Sequence, residues 1–296
     1  MPPTKENESK HTLCAVTLFV KNARLPFIYL FVIIAQAFCG DKELLSSAEL
    51  FTKEGFKYGR FEVRMRMAAA DGVISSFFLW KDESEKDNAF WNEIDIEVLG
   101  CSPKGFQSAI HYGRGGWSNM THLESFHHLN KALTTQYQTY TIEWTPDYIC
   151  WKLNDSLVRK DTGEIVARFR DVHMQLRFNI WPSLQPSWAG PFNPDVLPKH
   201  MYINRVNYCK YTPDKTPEFT LAWEDDFDTD SLNRRWQTGF WESPDKASTH
   251  TDKNVTIRNG AAILTLSKSA HCGFNGIIPQ DNSGGTTFPE EYLRGR

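Results

Sequence analysis

The sequence predicts an all-β protein, two antiparallel sheets packed face to face, and three observations carry that expectation. Apolar and polar residues alternate with a period of two in segment after segment, turn signals of the Asn-Gly and Pro-Asp kind separate the segments, and no helical periodicity outlasts a short helix or two. With 41% hydrophobic and 14% aromatic residues, the 296-residue chain can bury a full core, and all-β sandwiches of this size are commonly one domain. Its 33 basic and 36 acidic residues include no long run of one sign, which argues against nucleic acid as a partner.

Taken in order, Lys21 and Arg24 precede an apolar stretch from Leu25 to Cys39 that is short for a membrane span and contains the small-x-small triplet Ala35-Gln36-Ala37. Residues 1–37 are therefore expected to be a signal peptide cleaved after Ala37, the alternative being an uncleaved membrane anchor, since the region before the apolar stretch is unusually long. The expected product is a secreted, extracellular protein with no stable membrane association. The folded domain is expected over 38–280. Within it Phe61, Val63, Met65 and Met67 alternate with Arg60, Glu62, Arg64 and Arg66, a strand with one apolar and one charged face. In the segment Ile74 to Trp80, Phe78 and Trp80 share a face. Thr145-Pro146-Asp147 and Asn259-Gly260 each separate two apolar runs and predict hairpins. Val172 to Ile180 alternates apolar residues with His173, Gln175, Arg177, Asn179 and then Trp181, a mixture unlike an ordinary solvent face. Thr212 to Pro217 is a short Pro-rich joint, and residues 281–296 lack apolar pattern and read as a loose tail.

Five cysteines would remain after cleavage, Cys39, Cys101, Cys150, Cys209 and Cys272, at spacings of neither a disulfide framework nor a zinc site. His127 and His128 are adjacent and point to opposite faces of a strand, which argues against a shared metal. Asn119, Asn154 and Asn254 each begin an N-glycosylation pattern.

The segment that carries chemistry is Trp91 to Gly100. As a strand it puts Ile94, Ile96 and Val98 on one face and Glu93, Asp95 and Glu97, with Trp91, on the other. Like charges two residues apart repel, so this row costs stability. Retaining glycoside hydrolysis has a use for it: one ionised carboxylate attacks the anomeric carbon while a protonated carboxyl gives its proton to the leaving oxygen. Glu93 and Glu97 can supply the pair if their side chains lean together, and Asp95 can bond to one Glu and by repulsion keep another protonated. A solvated acidic face is the structural alternative. Polysaccharides also need aromatic platforms with polar groups between them. Trp91 lies on the acidic face, and Trp181 alternates with Arg177 and Asn179, although any single Trp can equally be core.

Trp-x-Glu-Ile-Asp-Ile-Glu-Val-Leu-Gly resembles the catalytic strand of glycoside hydrolase family 16, β-jelly-roll endoglucanases, and Tyr58 to Met65 and Gly72 to Trp80 are similar to its lead-in. Phe219 to Asp228, Trp236, Trp241 and Asn254 to Gly260 resemble the N-terminal portion of the family yet follow the catalytic strand here, as in its circularly permuted bacterial 1,3-1,4-β-glucanases, with the joint at 212–217. The resemblance implies Glu93 as nucleophile, Asp95 as its tuning partner and Glu97 as acid/base. It implies a glucan-binding set of Phe78, Trp80, Trp91, Gln107, Arg177, Asn179, Trp181, Trp188 and Trp241. It also implies a structural calcium ion held through main-chain oxygens at Asn204, Asp226 and Gly260, with no cofactor for catalysis. A monomer is expected, acting on mixed-linkage β-glucan. Ala109 stands where relatives carry Asn, and Pro244 to Ala247 replaces a more polar stretch. The alternatives are a β-1,3-glucanase or transglycosylase with the same machinery, and a carbohydrate-binding jelly roll without turnover.

Overall fold

The strand pattern is realised in the computed structural model, which describes residues 44–282. The expected signal segment, and the tail beyond Asn282, lie outside the described residues. In chain order the strands are β1 (Leu45–Thr52), β2 (Gly59–Arg66), β3 (Val73–Trp80), β4 (Trp91–Leu99), β5 (Gly105–Gly113), β6 (Thr121–His128), β7 (Gln138–Trp144) and β8 (Tyr148–Leu153). They continue as β9 (Ser156–Thr162), β10 (Gln175–Pro182), β11 (Lys199–Tyr211), β12 (Phe219–Asp225), β13 (Trp236–Thr238), β14 (Thr249–His250), β15 (Val255–Ile257) and β16 (Ala262–Lys268). Two four-residue helices, α1 (Glu164–Ala167) and α2 (Pro186–Ala189), interrupt them.

Pairing sorts the strands into two arrays, β6-β5-β4-β3-β10-β1 and β16-β11-β2-β7-β8-β9, joined where Leu45 and Ser46 of β1 pair with Lys268 and Ser267 of β16. All of these neighbours are antiparallel; the two-residue β14 runs parallel to β1. The inward faces share one apolar cluster, with Phe77, Ile94, Ile96 and Val98 from the first array and Phe61, Val63, Ile142 and Trp151 from the second, all at zero exposure. Burying each such side chain contributes about 1.5–3 kcal/mol. This is the expected all-β sandwich.

The hairpin signals act as their chemistry requires. Thr145 closes the β7–β8 turn by accepting at Oγ1 from the amides of Asp147 and Tyr148. Asn259 (φ 50°) and Gly260 (φ 72°) both take the left-handed conformation that a tight β15–β16 turn needs. The Pro-rich joint is also a hairpin: it links β11 to β12, and Thr212 N donates to Glu218 O at 2.6 Å. At the end of β4, a Cβ on Gly100 would stand 2.1 Å from the Ala70 carbonyl, so only glycine allows that approach.

Two expectations change. The strand read from Val172 begins at Gln175, with Met174 bridging to Phe56 just before it. Asn254 is fully buried, donating to Ser46 O (2.9 Å) and accepting from Gly273 N (2.8 Å), so in the folded protein it is closed to glycosylation. The charged face of β2 is buried as well as the apolar one, a finding the alternation alone did not address: Arg60, Glu62 and Arg64 are 2–4% exposed. Central in its array, β2 has long polar side chains on both sides, and Arg60 pairs with Glu62 (2.6 Å), Glu143 (2.7 Å) and Asp155 (2.9 Å). Burial alone would raise the Glu143 carboxyl, yet the hydrogen bond and charge of Lys152 and the charge of Arg60 hold it below its usual range. Cys101, Cys150, Cys209 and Cys272 are unbridged.

Removing one partner of a buried ion cluster strands the others. Arg60→Met is expected to lower the unfolding free energy by about 3–5 kcal/mol in urea titration, and a loss below 1 kcal/mol would show that the cluster relaxes without its cation.

Candidate active site

Register brings the expected site together. Glu93 lies opposite Trp80 on β3 and His111 on β5, Asp95 opposite Phe78 and Ala109, and Glu97 opposite Ser76 and Gln107. One strand further, Arg177 faces Phe78 and Asn179 faces Ser76. Directly paired residues share a face, so the outer face of the first array collects Phe78, Trp80, Gln107, Arg177 and Asn179 around the carboxylate row. Its inner face is the core. Two indoles arrive from outside these strands. Trp188 on α2 donates from Nε1 to Gln107 Oε1 (3.2 Å), and Trp241, 42% exposed, donates to Glu49 Oε2 (3.1 Å). Trp181 is only 5% exposed. It packs with Ile74, Leu99 and Ala189 in a cluster separate from the inter-sheet core, its ring 6.0 Å from that of Trp188.

Each carboxyl is held by a different neighbour. Trp91 Nε1 donates to Glu93 Oε2 at 2.8 Å, and the Trp91 ring meets that of Trp80 edge to face at 4.4 Å. Gln107 Nε2 donates to Glu97 Oε2 at 3.2 Å, so an amide relay runs from Trp188 through Gln107 to Glu97. Asp95, 4% exposed, has its Oδ2 3.3 Å from His111 Nε2, while its main-chain carbonyl accepts from the Trp151 indole of the opposite sheet at 2.9 Å. Ala109, fully buried beside Asp95, offers no polar group there.

Burial raises both glutamates, and different neighbours act on each. Burial, reinforced by the charges of Glu93 and Glu124, raises Glu97 to about 8. Burial also raises Glu93, but the Trp91 hydrogen bond, a hydrogen bond with Asp95 and the Arg177 charge restrain it at about 7. Burial and the flanking glutamates lift Asp95 well above the usual carboxylate range. All three carboxyls are raised, so the row holds protons near neutrality, and the indole and guanidinium on the Glu93 side favour its charge where Glu97 has an amide alone. Both remain half-buried, with an open side toward the outer face.

Two residues of this face escaped the sequence reading. Glu49 of β1 is 3% exposed and binds Arg177 Nη1 at 2.9 Å, which fixes the guanidinium between the rings of Phe51, Trp80 and Trp241. A lone Glu among the small and apolar residues of Leu45–Thr52 was the available signal. His111 could have been found by counting two residues on from Ala109. The departing stretch Pro244 to Ala247 is tied down as well: Asp245 Oδ2 accepts from Ser183 Oγ and Leu184 N, both at 2.8 Å.

The expected metal residues also converge. Asn204 occupies a bulge in β11, Asp226 follows β12, and Gly260 turns between β15 and β16. A Cβ on Gly260 would stand 3.8 Å from Asp226 O; Asn204 Oδ1 is buried with no donor, and its Nδ2 donates to Asp281 at 3.1 Å. Main-chain and carboxylate oxygens suit a hard cation such as calcium.

A row of three proton-holding carboxyls with two glutamates flanking an aspartate, on a sheet face carrying indoles, amides and a guanidinium, matches a glycosidase of the β-sandwich class. Residues 17–196 match the family described as Glycosyl hydrolases family 16, and the chain belongs to it. It is 41% identical over 241 residues to a β-glucanase of Fibrobacter succinogenes, covering 80% of this chain and 68% of the relative. A β-glucanase of Brevibacillus brevis is 33% identical over 164 residues, 55% of this chain and 60% of that protein. Among solved structures, Bacillus licheniformis β-glucanase aligns with 25% identity over 55% of this chain and 77% of that chain, with a TM-score of 0.46.

A carboxyl whose pKa is higher folded than unfolded stabilises the fold fully below the unfolded value, near 4.5, and that contribution is lost as pH rises through the folded value. Glu97→Gln cannot ionise. Its melting temperature is expected to exceed that of the unsubstituted protein at pH 8, with the gap closing toward pH 5; a variant that melts lower at pH 8 would contradict the raised carboxyl.

Proposed function

We propose that this protein is a secreted endo-1,3-1,4-β-glucanase that hydrolyses 1,4 bonds next to 1,3 bonds in mixed-linkage β-glucan with retention of configuration. The observation that carries the reading is the carboxylate row itself, Glu93, Asp95 and Glu97 on one face of β4, with Glu93 held by the Trp91 indole and Glu97 by the Gln107 amide. The likeness to β-glucanases supports the substrate class. Glu93 attacks the anomeric carbon while Glu97 protonates the departing oxygen, and Glu97 then takes a proton from the water that releases the sugar. Asp95 holds a proton against Glu93 and so steadies the nucleophile before attack. Trp91, Trp188 and Trp241 offer ring faces to sugars, Trp181 backs Trp188, and Phe78 and Trp80 floor the face. Gln107, Arg177 and Asn179 supply the polar discrimination. In this reading residues 1–37 direct export, the enzyme acts as a monomer, and the β11–β12 hairpin is the joint of a permuted chain.

Glu93→Gln is expected to lose at least about a thousandfold in turnover on lichenan while still binding it. Added azide should restore Glu97→Ala as a β-glycosyl azide, because an anion can enter the space that the lost carboxylate leaves. Near-normal turnover of the first, or an α-azide from the second, would overturn the mechanism. Laminarin preferred over lichenan by more than tenfold in kcat/KM would overturn the linkage assignment and leave the chemistry standing.

The same reading includes a structural calcium ion at Asn204, Asp226 and Gly260, where a turn carbonyl, a strand bulge and a glycine meet. Calcium there joins segments on both sides of 212–217 and stabilises by mass action. Chelation is expected to lower the melting temperature more than the initial rate. An unchanged melting curve in exhaustively chelated protein would remove the ion from the reading.

A further inference from the structure

We propose that His111, His122 and Glu124 form a site for a divalent transition-metal ion of the zinc class, at the β5–β6 margin of the glucan-binding face. Antiparallel register sets His111 directly opposite His122, and Glu124 follows two residues later on the same side of β6. One nitrogen from each ring and a Glu124 carboxylate oxygen lie within 4.8 Å of one another, and the two Nδ1 atoms are 2.8 Å apart.

The rings are oriented from behind. His122 Nε2 lies 2.7 Å from the Trp117 carbonyl, which can only accept, so Nε2 carries the proton and Nδ1 presents a lone pair toward His111. On the far side of His111, Nε2 faces Asp95 Oδ2 at 3.3 Å. An imidazole with one nitrogen anchored on a carbonyl and the other turned inward, as in His122, is how metal-binding histidines are held, and the Asp95 carboxyl lies near the outer nitrogen of His111. The inner Nδ1 atoms have room between them for one proton or for a metal ion in its place. Trp117 packs over both rings, with centroids 4.8 and 4.3 Å away.

The donor set selects the metal. Two neutral imidazoles and one carboxylate suit zinc, cobalt or nickel, whereas calcium and magnesium prefer oxygen alone. Zinc–nitrogen bonds of about 2.0–2.1 Å in a tetrahedron need the Nδ1 atoms about 3.4 Å apart, so the rings must part by roughly half an ångström. His122 sits on β6, which among the described residues has a paired neighbour on one side only, and can make that adjustment. His111 is 4% exposed while Glu124 is exposed, which gives the ion a route in and leaves its fourth position to water. None of the three residues belongs to the acid–base pair or to the calcium residues.

The test is titration of the purified protein with cobalt, read by its visible d–d absorption, then displacement by zinc. One saturable equivalent is expected, weakened at least about tenfold in His122→Ala and in Glu124→Gln, and unchanged in His128→Ala, which alters a neighbouring histidine outside the site. Melting of each metal-free variant confirms that it is folded, and exposed Glu124 keeps the test decisive if His122→Ala is not. No saturable binding at one equivalent, affinity in both site variants equal to that of the unsubstituted protein, or loss of binding in His128→Ala would overturn the site. None of these readouts depends on the glucanase reading.

Discussion

The pleat of β4 is the constraint on which the rest depends. Ile94, Ile96 and Val98 are driven into the inter-sheet core, and with a side-chain period of two this leaves Glu93, Asp95 and Glu97 no freedom to avoid one another on the opposite face. A slip of one residue would bury three carboxylates between the sheets. The core therefore positions the repulsive row. The Trp151 indole adds a direct tie, reaching across from the second sheet to the carbonyl of Asp95, the middle member of the row.

Position alone would leave three similar carboxyls, and the neighbours make them different. Glu93 receives an indole N–H and the field of Arg177; Glu97 receives one amide N–H and feels Glu93 and Glu124. Burial beside Glu93 and Glu124 disfavours a further charge at Glu97, so the fold is compatible with the row chiefly when Glu97 holds its proton. Arg177 has its effect because Glu49 and three aromatic rings immobilise it. The tuning thus extends to β1, three strands away from the carboxylates.

Much of this was legible before any coordinates because period-two alternation reports directly on strand faces. The carboxylate row, the Phe78–Trp80 and Arg177–Asn179 sets and the hairpins at 145–147 and 259–260 all follow from that period and from turn chemistry. What escaped depends on pairing between distant segments. Glu49 becomes part of the site only because β1 lies beside β10, 128 residues away from Arg177. Trp181 read as a sugar platform because it alternates with polar residues, yet helix α2 covers it, and α2 carries no periodic signal in four residues. His111 became visible only once β5 was in register with both β4 and β6.

The charged face of β2 makes the complementary case. Arg60, Glu62 and Arg64 form the charged face of the strand, and burial is tolerable there because opposite charges alternate along it and neighbours extend the pairing to Glu143, Asp155 and Asp281. On β4 the same pleat carries three charges of one sign with no cation in the row, and the strain appears as raised pKa values instead of ion pairs. Two strands of one sandwich thus bury equally polar faces to different ends. Sign alternation neutralises a face and makes it structural, whereas sign repetition leaves protons to be held and released, which is the condition for acid–base work.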